Sequence, residues 1–492
     1  MFPKLIAVVL IVVLSAVYYL RRRDFPFALY LLLVSVFFSR IYWEVFGYTV
    51  RLEQLSCLLL FLTLIYDLLK KKLKIKVNFQ AILVLSLFPM MLISSLWGTT
   101  YSILSLKKSL IYVPYLLAFL ALVLYLQKKE DLIIAWNFFY AAGGLALGLS
   151  VIGFYLYFVG IDFGMVRMEW GTFSLRGTFI IPNILGSTAV LVLVTAFMRL
   201  ISKNEQKKNV GFDLVAMAIA VSGLMMSLTR AAWICGVVGI LLGLIFSVRR
   251  LALKTMLLGL AVIMATVGLT YLATTHLKPP AGKVVKERTL GEFGEPKKDQ
   301  YWIPQKTNRI DYSGKIKETG KVKEALKDDR TFQQTLTENP NYISIQRRIR
   351  AAKMALQDWL SSPIIGRGTD SFLIENNNQP EYYLSSTWVT ILHDWGLISF
   401  LLHGIFLMVV FLGIIKTILR TTQLSIKAFF STLLIVLILT SIMYQISTTM
   451  QLSIFWVLLA FFSSAASARL AAEPDPGGPA AKSPEGNFIS AK

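Results

Sequence analysis

Long apolar segments constrain this chain more than any other feature. A helix needs about 20 mostly apolar residues to cross a bilayer. About thirteen segments approach that length, at 3–20, 25–39, 51–69, 79–97, 109–127, 132–159, 179–201, 212–228, 231–248, 251–274, 387–415, 426–447 and 450–469. Hydrophobic residues make up 55% of the chain and charged residues 16%, which excludes a soluble globular protein. The sequence predicts an all-α, polytopic membrane helix bundle with twelve or thirteen spans.

The basic residues behind the net charge of +22 are concentrated in certain loops. Basic clusters fall in alternate short loops, at Arg21–Arg23, Lys70–Lys72, Lys128-Lys129, Lys207-Lys208 and Arg249-Arg250. This positive-inside pattern predicts that these loops are cytoplasmic and that the loops between them face outward. The basic excess is thereby explained by topology and by attraction to anionic lipid, so no nucleic-acid partner is expected. The first segment precedes its basic cluster, the reverse of a signal peptide, and is expected to be a retained span.

Composition divides the chain into five regions. They are N-terminal transmembrane helices at 1–130, central transmembrane helices at 131–275, a large extracytoplasmic loop at 276–386, C-terminal transmembrane helices at 387–470 and a disordered cytoplasmic tail at 471–492. The loop is polar throughout, and so long a connection is usually functional or disordered. Its second half is different, since IQRRIRAAKMALQDWL at 345–360 predicts an amphipathic helix. The residues Ser361 to Pro363 should end that helix, and a glycine turn should follow at Gly366–Gly368.

Several charged residues lie at the predicted outer ends of spans, where positive-inside topology does not explain them. Ionisable groups at that depth are costly and usually face a cavity or a partner. The set comprises Arg40, Glu44, Arg51, Glu53, Lys107, Lys108, Arg176, Arg230, His393 and Asp394. Arg40 and Arg51 can equally snorkel to headgroups or pair with Glu44 and Glu53, so a structural and a functional role both stay open for them.

Arg176 and Arg230 predict an anion site. Arg176 lies in SLRGTFIIPNILGS, and Arg230 lies in SLTRAAW between two apolar segments with almost no loop. A guanidinium group is always charged, is weakly hydrated and matches phosphate oxygens with its planar fork. Two of them at the outer end of a bundle would hold a pyrophosphate. The sequence has no metal-ligand cluster, P-loop or GxGxxG motif, so neither a metal nor another cofactor is expected.

The Pro182-Asn183 pair interrupts the start of an apolar segment. Proline is tolerated in the first turn of a helix, where its missing N–H would be unbonded anyway. We therefore expect Pro182 to mark a helix start or a short break. Asn183 would either satisfy freed backbone groups or contact a sugar.

Four motifs, in order along the chain, resemble stretches of the O-antigen ligase and polymerase superfamily. RGTFIIPNILGS (176–187) resembles its arginine, glycine and Pro-Asn stretch, and SLTRAAW (227–233) resembles its Leu, Ser/Thr, Arg, Gly/Ala signature. The segment from Arg347 through PIIGRGTDSF resembles its arginine-led helix with Gly-x-Gly, and SSTWVTILHDWGLISFLL (385–402) resembles the next stretch. Each motif is weak alone, but all four in this order, with a large loop between the second and third, are fairly specific.

The resemblance implies both a fold and an activity. Members of the superfamily have a GT-C-like fold and transfer a glycan from undecaprenyl diphosphate to an acceptor glycan or glycolipid. They act on the outer face of the cytoplasmic membrane in surface-polysaccharide assembly, and the transfer is inverting and metal-independent. Carried over, Arg176 and Arg230 would grip the donor diphosphate and stabilise the leaving group. The loop, with Arg347, Arg348 and Arg350, would close over the glycan.

One departure from the family concerns the general base. Ligase members carry a histidine where this chain has Ser385-Ser386, and the nearest histidine, His393, lies about two turns further, roughly 12 Å along a helix. Asp394, beside it, takes the family's glutamate position. His393, Asp394, Asp370 and Glu381 are unranked candidates for the base, and His393 can equally be a packed core residue. The departure favours a polymerase-type member, as in teichuronic-acid or exopolysaccharide assembly, over a standard lipid A–core ligase.

Three other functions fit a bundle of this kind. A polysaccharide flippase or transporter also has many spans, but it would be expected to show related halves and interrupted helices near the midplane. A peptidoglycan-polymerising glycosyltransferase has a similar plan, and only a substrate assay would separate it. A non-enzymatic scaffold for other polysaccharide-assembly proteins would tolerate neutral replacements of the two arginines.

Overall fold

The computed structural model gives the protein as a bundle of long helices. It describes residues 2–45, 48–73, 75, 77–169, 172–179, 181–202, 210–247, 253–275, 340–375, 384, 386–445 and 453–468. Predictions for the first half of the large loop, for Glu381 and Ser385, and for the tail at 471–492 lie outside the described residues.

Twelve helices form the first part of the bundle, up to the large loop. They are α1 (Phe2–Arg22), α2 (Phe27–Ser35), α3 (Leu52–Leu69), α4 (Phe79–Leu85), α5 (Leu87–Trp97), α6 (Ser102–Leu110), α7 (Val113–Tyr125), α8 (Lys129–Phe158), α9 (Pro182–Ile201), α10 (Val210–Met226), α11 (Arg230–Ser247) and α12 (Leu253–Thr275). Five more follow, namely α13 (Pro340–Trp359), α14 (Ser371–Glu375), α15 (Thr387–Arg420), α16 (Leu424–Met443) and α17 (Ser453–Ser467). The expected helix at 345–360 is therefore confirmed as α13.

Two short antiparallel hairpins interrupt the helices, and the all-α prediction did not include them. The first joins β1 (Tyr42–Val45) to β2 (Tyr48–Arg51), with Tyr42 opposite Arg51. The second joins β3 (Val166–Glu169) to β4 (Thr172–Leu175), with Val166 opposite Leu175. They lie just before α3 and just before Arg176, so each shapes the approach to a predicted site residue.

The helices are long and apolar enough to cross a membrane. In the described part of the chain, eight helical segments meet that standard by length and composition, and three shorter apolar helices, α10, α11 and α17, accompany them. The most apolar 18-residue window of α9 is 89% buried, whereas that of α12 is 11% buried. The protein is thus an all-α, multi-pass membrane protein, as predicted, with α9 at its centre. The count of twelve or thirteen spans stays a prediction.

Close helix contacts show which helix ends lie together. A Cβ on Gly186 of α9 would come 2.9 Å from Ala232 of α11, and one on Gly243 of α11 would come 3.1 Å from Met198 of α9, so these two helices run parallel. α16 packs on both. Its last turn meets the start of α17, which contacts Tyr112 at the start of α7, whereas α9 ends beside Asn137 near the start of α8, the end at which α7 finishes. α16 therefore runs opposite to α9 and α11. We call the end where α9 and α11 begin and α16 ends the arginine end, because Arg176 and Arg230 lie there.

α15 consists of two helical segments joined by a sharp bend. Gly396 has φ 78° and ψ 179°, which no helix allows. A straight helix would separate Trp388 from His403 by about 22 Å, yet their ring centroids lie 5.5 Å apart. The segment before Gly396 therefore folds back beside the segment after it, and the longer apolar part of α15 begins after the bend.

Candidate functional site

Arg176 follows β4 in a turn that backbone hydrogen bonds define. The N–H groups of Arg176 and Gly177 both donate to the carbonyl of Met165, at 3.0 and 2.9 Å. Gly177 has φ +60°, and a Cβ there would collide with Ser150 of α8. The position therefore requires glycine, which adopts positive φ without a steric cost. This is the physical reason for the Arg-Gly pair: the glycine lets the arginine's turn pack directly on α8.

Arg40 and Arg176 lie close together at the arginine end. Arg40 Nη1 donates to the carbonyl of Gly177 at 2.9 Å, and Arg176 Nε donates to the carbonyl of Gly164 at 3.3 Å. Burial, and then the positive charge of Arg176, lower the pKa of Arg40 to about 10, so Arg40 stays charged at neutral pH. Neither arginine forms an ion pair with a described residue. Two adjacent cations of this kind favour a multivalent anion.

Asn183 and Arg230 lie at the starts of two neighbouring helices. α9 begins at Pro182, so the predicted helix start is confirmed. Thr229 Oγ1 donates to Asn183 Oδ1 at 3.2 Å, which joins α9 to the residue before Arg230. Arg230 itself is the first residue of α11, and its side chain is exposed. The arginine end thus presents a third cation, next to the amide of Asn183.

A second polar group surrounds His393 and uses both of its ring nitrogens. His393 Nδ1 lies 2.7 Å from Asp394 Oδ1, and Nε2 lies 2.9 Å from Asp358 Oδ2. Arg367 Nε lies 3.1 Å from the same Asp358 oxygen. Burial alone would raise the pKa of Asp358, but the hydrogen bonds and charges of His393 and Arg367 outweigh it and lower that pKa. We call Asp358, Arg367, His393 and Asp394 the clasp, because they hold the end of α13 to α15.

The chain at 361–370 packs against the bend of α15 around the clasp. The N–H of Asp370 donates to Asp394 Oδ2 at 2.9 Å, and Asp370 Oδ2 lies 3.5 Å from Lys108 Nζ. The N–H of Arg367 donates to the carbonyl of His393 at 2.8 Å. Both carboxylate oxygens of Asp394 are therefore engaged, one by His393 and one by Asp370.

Buried hydroxyl groups form hydrogen bonds with the 361–370 segment. Ser109 Oγ lies 2.6 Å from Thr369 Oγ1 and 2.8 Å from Ser95 Oγ. Ser105 Oγ donates to the carbonyl of Thr369 at 3.0 Å, and Trp395 Nε1 donates to Thr369 Oγ1 at 3.1 Å. Buried polar groups need such partners, so the network attaches the 361–370 segment to α5 and α6.

Glycines allow the segment and the bend to touch backbone to backbone. Gly366, Gly368 and Gly396 have φ of +81°, +96° and +78°, which confirms the predicted glycine turn. A Cβ on Gly366 would collide with the N–H of Gly396, and one on Gly396 would lie 2.5 Å from the N of Gly366. The Gly-x-Gly motif thus serves a close backbone approach.

The structure separates the predicted site residues into two groups. Arg40, Arg176, Asn183 and Arg230 belong to the arginine end, and His393, Asp394 and Asp370 belong to the clasp and the segment on it. The remaining predicted residues belong to neither group. Arg51 lies 3.9 Å from Glu53. On α13, Arg348 is exposed and Arg350 is partly buried, and the side chain of Arg347 lies outside the described residues.

Sequence analysis did not select Asp358 or Arg367 of the clasp. Asp358 is the only acidic residue in the basic sequence of α13, and Arg367 is the residue between the two glycines of the turn. The lone carboxylate in a basic helix and the arginine between two glycines were the sequence features that could have pointed to these residues. Within the clasp their partners lie up to 35 residues away in sequence, so the pairing itself could not be read from either motif.

Taken together, these features define a multi-pass membrane protein with a group of arginines at one end of its bundle and a separate charged clasp between α13 and α15. Residues 215–412 match a family model described as O-antigen ligase. The match supports the resemblance to the O-antigen ligase and polymerase superfamily that the motifs predicted, and the matched stretch includes Arg230 and the clasp. The match therefore indicates a membrane function of the glycan ligase or polymerase type. The comparison with curated proteins found no match.

Proposed function

We propose that the protein transfers a glycan from an undecaprenyl-diphosphate-linked donor to an acceptor glycan or glycolipid. The observation that carries the proposal is the adjacent pair Arg40 and Arg176, two half-buried cations without an ion pair among the described residues. A lipid-linked diphosphate is the multivalent anion that such a membrane site would bind. The family match adds the class of reaction.

The arginines would act on the leaving group. As the bond from the anomeric carbon to the diphosphate breaks, negative charge grows on the diphosphate, and guanidinium groups already in place stabilise it. Arg176 and Arg230 are the catalytic residues of this proposal, with Arg40 beside Arg176. Attack by the acceptor hydroxyl from the opposite side would invert the anomeric carbon. The charge on the leaving group is met by arginine, so the proposed step needs no metal.

The outer face of the cytoplasmic membrane is the proposed location. Two of the basic clusters that predict cytoplasmic loops lie at the end of the bundle opposite to the arginine end. Lys129 begins α8 there, since Arg199 at the end of α9 bonds Asn137 near the start of α8, and Lys70 follows α3 there, since Tyr125 at the end of α7 bonds Asp67. By the positive-inside rule, the arginine end would then face outward. An outward-facing arginine end and the serine at the family's histidine position, Ser385, together favour a polymerase-type enzyme of surface-polysaccharide assembly. In such an enzyme, Arg347, Arg348 and Arg350 would contact the glycan.

The test is transfer by purified protein in lipid nanodiscs, with a lipid-diphosphate-linked oligosaccharide as donor and a chelator present. Removing one charge-stabilising donor typically costs about 100-fold or more in kcat, so we expect Arg176→Ala to lose transfer to that degree. Arg176→Lys should recover only part of it, because a lysine lacks the planar fork. Arg420→Ala, an exposed arginine at the opposite end, is the matched control and should transfer normally.

Two results would overturn the proposal. One is Arg176→Ala transferring at the wild-type rate. The other is wild-type protein that moves donor across the bilayer without forming product, which would indicate a transporter. Transfer that depends strictly on an added divalent metal would overturn the arginine-only leaving-group step.

A further inference from the structure

The β1–β2 hairpin begins beside Arg40 of the arginine end. β1 starts two residues after Arg40, and the N–H of Leu52, directly after β2, donates to the carbonyl of Ile41 at 3.0 Å. The N–H of Arg40 in turn donates to the carbonyl of Thr178 at 3.3 Å. The base of the hairpin is therefore attached to the turn that carries Arg176.

The β3–β4 hairpin begins and ends at the same two arginines. The carbonyl of Gly164, two residues before β3, accepts a hydrogen bond from Arg176 Nε at 3.3 Å, and a Cβ on Gly164 would come 3.1 Å from Arg40 Nη2. β4 ends at Leu175, directly before Arg176. Both hairpins are thus attached at the arginine pair, so a ligand held by the pair lies within reach of hairpin side chains.

The two faces of the β1–β2 hairpin carry different side chains. Successive side chains of a strand point to opposite faces, and residues directly opposite each other in an antiparallel pair share a face. Tyr42 is paired with Arg51, and Glu44 is paired with Thr49, so these four residues share one face. Trp43 lies on the other face. The first face therefore combines an aromatic ring, a carboxylate, a hydroxyl and a guanidinium group.

The face that carries Tyr42 adjoins Arg40. Tyr42 lies near enough to Arg40 for an electrostatic interaction between their side chains. Tyr42 is 38% exposed, and Glu44 and Thr49 are exposed as well. A ligand bound to Arg40 and Arg176 can therefore contact this face directly from the surface.

Glu44 is a carboxylate close in sequence to Arg40 that forms no ion pair with the described part of the chain. At the rise of a strand, its Cα lies at most about 13 Å from that of Arg40. A carboxylate repels a diphosphate, so Glu44 is unsuited to the anion itself. Its two oxygens instead suit an uncharged group that carries hydroxyl donors.

A sugar has the chemistry that this face would recognise. A sugar ring has an apolar C–H face, which packs on an aromatic ring. Its hydroxyl groups donate to a carboxylate and exchange hydrogen bonds with a threonine hydroxyl. In a diphosphate-linked glycan, such a ring is attached directly to the anion that the arginines would hold.

We propose that Tyr42, Glu44 and Thr49 form a glycan-binding subsite for the donor, an inference that rests on the proposed function. Tyr42, the residue nearest to Arg40, packs on the sugar attached to the diphosphate. Glu44 and Thr49, further along the hairpin, accept hydrogen bonds from the hydroxyl groups of the following sugar. The subsite thereby selects the glycan, while the arginines bind the diphosphate that all such donors share.

The experiment measures the Kd of two probes for the protein in lipid nanodiscs. One is the lipid-diphosphate-linked oligosaccharide of the transfer assay, and the other is the same lipid diphosphate without sugar. Glu44→Gln should raise the Kd of the sugar-bearing probe about tenfold, because a charged hydrogen-bond acceptor is lost. Tyr42→Ala should raise it about 3–10-fold, because the ring face is lost. Neither variant should change the Kd of the sugar-free probe, whereas Arg176→Ala should weaken both probes.

Trp43→Ala is the matched control. Trp43 is 39% exposed and follows Tyr42 in the same strand, but it lies on the opposite face. If exposed aromatic rings only anchored the hairpin at the lipid headgroups, Trp43→Ala and Tyr42→Ala would have equal effects. The subsite instead predicts that only Tyr42→Ala weakens the sugar-bearing probe. Tyr42→Phe, which keeps the ring, should retain most of the affinity, and all four hairpin variants should keep the wild-type thermal midpoint.

Three results would overturn the subsite. One is that either Glu44→Gln or Tyr42→Ala binds the sugar-bearing probe as tightly as wild type does. Another is that these variants weaken both probes equally, and the third is that Trp43→Ala weakens the sugar-bearing probe as much as Tyr42→Ala does. An Arg176→Ala variant that binds both probes like wild type would instead overturn the proposed function, and the subsite with it.

Discussion

Asp358→Asn measures what the clasp contributes to stability. Asp358 Oδ2 accepts hydrogen bonds from His393 Nε2 at 2.9 Å and from Arg367 Nε at 3.1 Å. A hydrogen bond to a charged group contributes about 1.5–3 kcal/mol, and solvent screens part of it because the Asp358 side chain is 28% exposed. We therefore expect the free energy of unfolding, measured by SDS titration in mixed micelles, to fall by about 3 kcal/mol.

The pH dependence of that loss follows from the lowered pKa of Asp358. Folding favours the ionised carboxylate, so its contribution is fully present above the ordinary value of 3.8 and is lost as the pH falls through the lower folded value. The difference in unfolding free energy between wild type and Asp358→Asn should be constant from about pH 5 to neutral pH and should shrink below about pH 4.

Glu130→Gln is the matched control for this charge removal. Glu130 lies 3.7 Å from Lys129, and its side chain is 62% exposed, so the pair should contribute less than about 1 kcal/mol. The reasoning is refuted if Asp358→Asn costs no more than Glu130→Gln, or if the difference from wild type persists unchanged in acid.

Two glycine substitutions test the backbone contacts that shape the two polar groups. Gly177→Ala should weaken donor binding at least about tenfold, because it places a Cβ at positive φ against Ser150 and shifts the Arg176 turn. Its control is Gly144→Ala, whose added Cβ meets nothing within 4 Å and which should leave donor binding unchanged in the same titration. Gly396→Ala should lower the thermal midpoint and the transfer rate, because the added Cβ forces apart the bend and the 361–370 segment. Its control is Gly404→Ala, whose added Cβ also meets nothing within 4 Å. That variant should be neutral or slightly stabilising, since alanine favours the helix. Equal effects of the two members of either pair would contradict the contact-based explanation.

The features that the sequence predicted correctly depend on short stretches of chain. Apolar runs of spanning length predicted the membrane helices, Pro182 predicted the start of α9, and the basic amphipathic pattern predicted α13. Each is decided within one or two helical turns, by the hydrophobic effect or by the geometry of proline and glycine. The hairpins were missed because four-residue strands leave too short an alternation to detect.

By itself, then, the sequence determined an all-α membrane bundle, the arginine motifs and the superfamily they resemble. Only the tertiary structure decided which charged groups meet. It placed Arg40 beside Arg176, 136 residues away in sequence, and joined His393 to Asp358. The physical reason is that a side chain's role is set by its neighbours in space: an imidazole between two carboxylates is a clasp, and a guanidinium group beside another one favours an anion.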